Sequence, residues 1–132
     1  MTTALEKELA ALVRTAPVIR PTSTCRETLR VLFQHPESKG IVVCNPSNEP
    51  LGLVMSERFF LIASGRDGVD LFYKEPIVNY MNRTPLTADI STSLESLRNE
   101  VINRPEMVRN ECLIVTQNGK FIGVVYASEL LL

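Results

Sequence analysis

The sequence predicts an α+β fold made of two copies of one β-α-β-β-α unit, preceded by a short N-terminal helix. Residues 17–29 align with residues 85–97 at a shift of 68, and Pro, Ser-Thr, Glu and Leu recur at matching places. Further matches join the apolar residues 41–43 with 113–115, and 51–54 with 122–125. A repeat that occupies most of a small domain indicates two halves built on one plan.

The predicted organisation begins with an amphipathic N-terminal helix within residues 1–15. Its apolar positions fall on one helical face and are Leu5, Leu9 and Leu12. The first motif is predicted over residues 16–64 and the second over residues 84–132. Residues 65–83 then form a linker that contains a short connecting helix.

Each copy is predicted to pass through the same elements. An extended piece (18–21 or 86–89) precedes a Ser-Thr pair that suits the cap of the next helix. Two strands joined by a turn follow, and the last helix starts at a serine. The predicted strands cover residues 40–44, 51–55, 112–115 and 121–126, the caps are Ser23-Thr24 and Ser91-Thr92, and the last helices start at Ser56 and Ser128.

Composition limits the classes of partner. The 132 residues include 14 basic and 15 acidic side chains, and the basic ones do not form a run. Nucleic acid or an anionic membrane surface is therefore not expected as a partner. The apolar runs are too short to cross a bilayer, and the first residues lack the order of a signal peptide. The three cysteines show no paired spacing, which favours a reduced, cytoplasmic protein whose thiols lie in the core.

The residues that chemistry requires are scarce. His35 is the only histidine and falls in a turn-like stretch, so a metal centre is not expected. The glycines occur singly rather than in a phosphate-binding loop, and no serine or threonine cluster has a paired base. The sequence therefore predicts a protein that is not an enzyme.

The order of elements and the motifs of both copies resemble the CBS domain pair, also called the Bateman module. The resemblance rests on a proline before each first strand, a Thr-x-x-Glu start of each first helix, and a glycine among apolar residues of each last strand. These residues are Pro17 and Pro85, Thr24–Glu27 and Thr92–Glu95, and Gly52 and Gly123. Together they cover about residues 16–132.

The resemblance implies a regulatory or sensory module without catalysis of its own. In that family the two motifs pack through their sheets with pseudo-two-fold symmetry, and two chains usually form a homodimer. The cleft between motifs binds AMP, ATP or S-adenosylmethionine as a regulatory ligand, and occasionally a cyclic dinucleotide. No cofactor is required, and the bound state is passed to an effector protein or domain through rearrangement of the homodimer.

The family's ribose-binding signature is Gly, two apolar residues, Thr or Ser, two further residues, and Asp. In the first copy Arg58 stands at the acid position, where it cannot accept a hydrogen bond from a diol but suits a phosphate. In the second copy Tyr126 and Glu129 take the hydroxyl and acid positions, and Glu129 retains acceptor oxygens. The resemblance thus favours the second copy, with the candidate residues Thr87, Asp89, Ile90, Cys112, Tyr126, Ser128 and Glu129. Arg58 of the first copy is a further candidate, for a phosphate.

Each candidate also has a structural interpretation. Arg58 suits a solvated helix surface, Glu129 suits a helix N-terminus, Asp89 suits a turn, and Tyr126 suits the core. The departures from the signature at Met55, Arg58 and Tyr126, together with the leucine stripe of the N-terminal helix, favour a second hypothesis, a ligand-free dimerisation scaffold for an effector protein. Because Arg58 matches a phosphate better than a sugar, a cyclic dinucleotide sensor is the third.

Overall fold

The computed structural model describes residues 9–65 and 69–131, apart from the side chain of Val69, and divides the chain into two units. The first unit is Ala16–Pro85. The second unit is Leu86–Leu132 together with the chain up to Thr15. Each unit holds one three-stranded sheet, so the predicted α+β repeat is confirmed.

Within residues 16–65 and 69–85, the first unit contains three strands and three α-helices. In chain order these are β1 (Val18–Ile19), α1 (Cys25–Gln34), β2 (Gly40–Cys44), β3 (Pro50–Met55), α2 (Ser56–Ser64) and α3 (Val69–Lys74). A 3₁₀ turn at Ile77–Asn79 follows, within the stretch predicted as a short connecting helix. Helix α3 lies in the stretch that was predicted as linker, and it was not predicted.

The second unit repeats this plan with shorter helices. Its elements are β4 (Thr87–Asp89), α4 (Leu94–Ile102), β5 (Leu113–Gln117), β6 (Lys120–Val125) and α5 (Ala127–Leu130), with a 3₁₀ turn at Glu106–Val108 between α4 and β5. The last helix starts at Ala127 rather than at the predicted Ser128, because Tyr126 is its N-cap residue. Ser56 does start α2, as predicted.

The two sheets have one topology. The first two strands of each are parallel, and the second and third are antiparallel. The antiparallel register shifts at matching places, between Val43 and Cys44 and between Val115 and Thr116. Every residue of β2 is buried, as are the first four of β5, which explains why both sequences read as continuous apolar runs.

The cores of the two units differ in composition. The first is partly aromatic, because Phe59 and Phe72 are buried with ring centroids 5.9 Å apart. The second is aliphatic, and its buried members include Leu9, Leu97 and Leu130. All three cysteines are buried, in agreement with the predicted core thiols.

The first helices of the two units are capped differently. Thr24 caps α1 and exchanges hydrogen bonds with Glu27 in a complete capping box. In the second unit the cap is Ser93, whose hydroxyl accepts from the Ser96 N–H at 3.1 Å. The predicted cap at Ser91-Thr92 was wrong, because the Ser91 side chain is engaged by Asp89 instead.

The N-terminal segment (residues 9–15) belongs to the second unit. Residues 9–12 are helical, and Leu9 is fully buried in that unit's core with Leu12 packed against it. The amphipathic pattern predicted a helix as far as Arg14, but the helix ends before it. Arg14 instead adopts an extended conformation and pairs with Val124. The predicted apolar position Leu5 lies outside the described residues.

No helix within residues 9–65 and 69–131 combines the length and apolar character needed to cross a membrane.

Candidate functional site

Glu129, the acid of the second-copy signature, lies in the first turn of α5. This helix follows β6 directly, since Tyr126 is its N-cap with extended backbone angles. The Glu129 side chain is 27% exposed. A carboxylate at this place is favoured by the N–H groups of the helix start. The short connection from strand to helix therefore presents Glu129 beside Tyr126.

Arg14 holds both carboxylate oxygens of Glu129. Its Nε donates to Oε1 at 2.5 Å and its Nη2 donates to Oε2 at 2.8 Å. This is the bidentate geometry in which guanidinium and carboxylate bind most strongly. The hydrogen bond and the charge of Glu129 raise the pKa of the Arg14 guanidinium above its usual value.

The same guanidinium lies over the ring of Tyr126, with its central carbon 5.0 Å from the ring centroid. A cation at that distance from an aromatic face is attracted to the ring. Arg14, Tyr126 and Glu129 thus form one cluster, called here the Arg14 cluster.

The backbone fixes Arg14 in this cluster. The Arg14 N–H donates to the Val124 carbonyl at 2.7 Å, and the Val124 N–H donates to the Arg14 carbonyl at 2.9 Å. The neighbouring Gly123 makes this approach possible. A Cβ at Gly123 would lie 2.6 Å from the Arg14 carbonyl oxygen and 2.5 Å from a Val13 methyl carbon. The signature glycine is therefore required by the passage of the N-terminal segment over β6.

Helix α5, which carries Glu129, is anchored at both ends. Ala127 and Leu130 are buried in the core of the second unit. At the C-terminal end Arg98 of α4 donates from Nε to the Leu130 carbonyl at 2.7 Å. The last carbonyls of a helix lack donors within the helix, so this bond gives the Leu130 carbonyl its partner and also holds the short helix in place.

Asp89 lies away from the Arg14 cluster. It pairs with Thr116 in the sheet, whereas Val125, which precedes Tyr126, pairs with Leu113. Three residues along β5 separate these positions by about 10 Å. The Asp89 carboxylate instead accepts from the Ser91 hydroxyl at 2.6 Å and the Ser91 N–H at 2.9 Å, and these bonds lower its pKa.

The remaining second-copy candidates vary in exposure. Thr87 is exposed on β4 and pairs with Ile114, nearer to the Arg14 cluster than Asp89 is. Ile90 is half-buried against the core, and Cys112 is only 1% exposed. Ser128 is exposed on α5 next to Glu129. Thr87 and Ser128 can therefore be reached from solvent, whereas the Cys112 thiol cannot.

Arg58, the remaining candidate, is exposed on α2 of the first unit. The counterpart of Arg14 in this unit is Asn82, whose backbone exchanges two hydrogen bonds with Leu53 of β3. A Cβ at Gly52 would lie 2.9 Å from the Asn82 carbonyl oxygen. The backbone arrangement thus repeats, while the uncharged Asn82 takes the position that Arg14 has in the second unit.

Sequence reasoning missed Arg14. The signal was the 68-residue shift, which aligns Arg14 with Asn82 and extends the repeat upstream of Pro17. No local pattern could reveal its ion pair, because 115 residues separate Arg14 from Glu129.

The Arg14 cluster offers a carboxylate, a guanidinium and an aromatic ring, a set suited to a ligand that carries hydroxyls, an anion and a ring system. Within residues 9–65 and 69–131 no three His, Cys, Asp or Glu side chains are placed to hold a metal ion.

The first unit has a groove of about 440 Å³ on its helical face. The groove lies between α1 and α3, and the Arg26 guanidinium carbon is 5.4 Å from the Tyr73 ring centroid within it. The other residues that line the groove are Leu29, Arg30, Phe33 and Gln34. Phe33 is 72% exposed and contacts Phe60 of α2, with ring centroids 5.5 Å apart.

Comparison with known proteins supports the fold. The family model of the CBS domain matches residues 77–132, and no curated protein matches the sequence. A CBS-domain protein from Agrobacterium tumefaciens has a TM-score of 0.71 at 15% identity, with 98% of this chain and 97% of that chain covered.

Two further similar structures carry nucleotides. The CBSX2 structure, a complex with AMP, has a TM-score of 0.71 at 17% identity and covers 93% of this chain and 92% of that chain. The cytosolic domain of the Mg²⁺ channel MgtE in complex with ATP has a TM-score of 0.68 at 16% identity, over 88% of this chain and 44% of that chain.

Proposed function

We propose that the chain is a regulatory CBS module whose second unit binds an adenosine-containing nucleotide; the CBS domain match over residues 77–132 and the tandem fold support this class. The observation that carries the proposal is the Glu129 carboxylate, partly exposed beside the Tyr126 ring at the start of α5. The AMP and ATP complexes of similar structures favour this class of ligand.

The chemistry of binding follows from these two side chains. The two oxygens of Glu129 accept hydrogen bonds from the ribose hydroxyls, and the Tyr126 ring offers a surface for the sugar or the base. Arg58, at the equivalent position of the first unit, has donors only and cannot accept from a diol. The second unit is accordingly the proposed site.

Regulation requires that the ligand prefer one state of the module. In this proposal the chain forms a homodimer, and nucleotide binding favours one dimer arrangement that an effector protein or domain recognises. The shift in this equilibrium equals the difference in ligand affinity between the two arrangements.

A thermal-shift and calorimetric screen tests the proposal with AMP, ADP, ATP, S-adenosylmethionine, NAD and cyclic dinucleotides. A ligand at a hundred times its Kd stabilises the folded state by about 2.7 kcal/mol, enough to raise the Tm by several degrees. Glu129→Gln should lose this effect because the amide presents one acceptor instead of two.

Glu95→Gln is the matched control, since Glu95 is an exposed first-turn acid on α4. It should bind as the wild type does. Binding that survives Glu129→Gln would place the site elsewhere, and a response to a cyclic dinucleotide alone would favour the phosphate-sensing alternative.

A second candidate function, a dimerisation scaffold that needs no ligand, is favoured by the first unit's helices. Each of α1, α2 and α3 leaves a large apolar side chain exposed: Phe33 at 72%, Leu61 at 69% and Leu71 at 77%. In this second proposal these side chains contribute to an interaction surface that includes the groove beside Phe33.

Sedimentation velocity separates the two candidates. The scaffold function predicts a stable dimer that Phe33→Asp converts to monomer, with no change in sedimentation on adding any nucleotide of the panel. Nucleotide-dependent sedimentation would instead support the regulatory function.

A further inference from the structure

We propose that Arg14 selects the ligand of the second unit, so that the site takes adenosine phosphates in preference to adenosine. This inference rests on the proposed function. Arg14 gives up Glu129 to the ribose and takes an anionic group of the same ligand in exchange.

The Glu129 carboxylate already has a partner, because both of its oxygens accept hydrogen bonds from Arg14, at 2.5 and 2.8 Å. A ribose diol needs the same oxygens, because hydroxyl groups bind a carboxylate as donors. In this proposal a ligand diol takes the place of the Arg14 guanidinium at these oxygens, and the loss of the Arg14 bonds lowers the affinity of the ligand.

A displaced Arg14 guanidinium can move only with its side chain. The Arg14 backbone stays paired with Val124, and the Arg14 carbonyl is packed against Gly123. That side chain is 52% exposed and has several rotatable bonds. A displaced guanidinium consequently remains within a side-chain length of Glu129.

The positive charge of Arg14 favours an anionic ligand. A guanidinium that loses its carboxylate regains a bidentate partner when the ligand carries a phosphate. Adenosine offers no anion, so it displaces Arg14 without compensation. S-adenosylmethionine carries a net positive charge, which also leaves Arg14 poorly compensated. A nucleotide phosphate thus completes the exchange of partners.

The test is calorimetric titration of AMP and of adenosine into the wild-type chain and the variant Arg14→Ala. We expect the wild type to prefer AMP by roughly 10- to 100-fold, the range of one charge-assisted hydrogen-bond pair. In Arg14→Ala adenosine should bind more tightly and AMP more weakly, so the two affinities approach one another.

Two further variants serve as a control and as a conservative substitution of Arg14. Arg30→Ala removes an exposed arginine from α1 of the first unit and should keep the wild-type preference. Arg14→Lys retains the charge without the bidentate geometry and should give an intermediate preference, which supports the inference even if Arg14→Ala folds poorly.

The outcomes separate the inference from the proposed function. An unchanged AMP preference in both Arg14 variants overturns the role of Arg14 and leaves the nucleotide site standing. Failure of the wild type and both variants to bind any adenosine compound overturns the proposed function and this inference with it.

Discussion

In each unit an extended segment from outside the repeated elements is hydrogen-bonded to the last sheet strand. Arg14 pairs with Val124 in the second unit, and Asn82 pairs with Leu53 in the first. In both cases a glycine on the strand gives the segment its room, with carbonyl oxygens 2.6 and 2.9 Å from a hypothetical Cβ. The backbone pairing is thus a shared property of the repeat.

The side chains on this shared backbone differ. The second unit joins Arg14 to Glu129, whereas the first has Asn82 and the exposed Arg58 at the corresponding positions. A main-chain hydrogen bond tolerates any side chain, so the two copies keep their fold while their chemistry diverges. The comparison favours the second unit, which keeps an acceptor, as the location of the proposed ligand site.

The largest expected difference between the units lies in their cores. Phe59→Ala in the first unit should lower the free energy of unfolding by about 4 kcal/mol, since it removes a buried ring that contacts Phe72. Leu97→Ala in the second unit should cost about 3 kcal/mol, because the aliphatic side chain leaves a smaller cavity.

Urea denaturation measures both core variants. Equal small losses, each under about 1 kcal/mol, would contradict the view that each unit depends on its own tightly packed core.

A methyl group at the signature glycine breaks the shared backbone arrangement. Gly123→Ala should cost about 1–3 kcal/mol, because its Cβ would meet the backbone oxygen of Arg14, which cannot rotate away. Gly65→Ala is the control, since its nearest atom would lie at an ordinary 3.5 Å. Hydrogen exchange of the Arg14 and Val124 amides should rise only in Gly123→Ala, and equal protection in both variants would refute the close approach.

Helix capping sharpens the comparison at a smaller scale. Thr24→Ala removes a complete capping box and should cost about 1 kcal/mol or somewhat more. Ser93→Ala removes one cap hydrogen bond and should cost about 0.5–1 kcal/mol. Thermal unfolding of the two variants checks the order, which is contradicted if Ser93→Ala is the more damaging.

Asp89 should contribute to the acid sensitivity of the second unit. The Ser91 bonds lower the pKa of Asp89 in the folded state, so they stabilise the fold above the unfolded pKa of about 3.9 and are lost as the pH falls through the folded pKa. The aligned residue of the first unit is Pro21, which does not titrate.

Tm measured from pH 7 to pH 2 tests this expectation. Ser91→Ala should reduce the acid-induced loss, and an identical pH profile for wild type and variant would contradict it.

Much of the fold could be predicted because the repeated elements occur twice, so the pattern of each can be recognised in two stretches of the sequence. The buried strands Gly40–Cys44 and Leu113–Gln117 read as matching apolar runs, and Pro and Gly mark the turns around them. The helix Val69–Lys74 escaped prediction because it lies outside the aligned stretches of the repeat, in the predicted linker.

The site was less accessible to sequence reasoning. The family pattern indicated Glu129 and Tyr126, which the structure brings together, but it also grouped Asp89 with them. Strand register separates Asp89 from that pair, and register follows from hydrogen bonding across the sheet rather than from local pattern. The partner of Glu129 depends on a contact between chain ends that only the folded structure shows.

Titration of AMP into the wild type, Glu129→Gln and Arg58→Ala tests the central claim most directly, since these two residues occupy equivalent positions in the two units. We predict one AMP per wild-type chain, loss of binding in Glu129→Gln, and wild-type affinity in Arg58→Ala. Binding that survives Glu129→Gln and disappears in Arg58→Ala would contradict the account and move the site to the first unit.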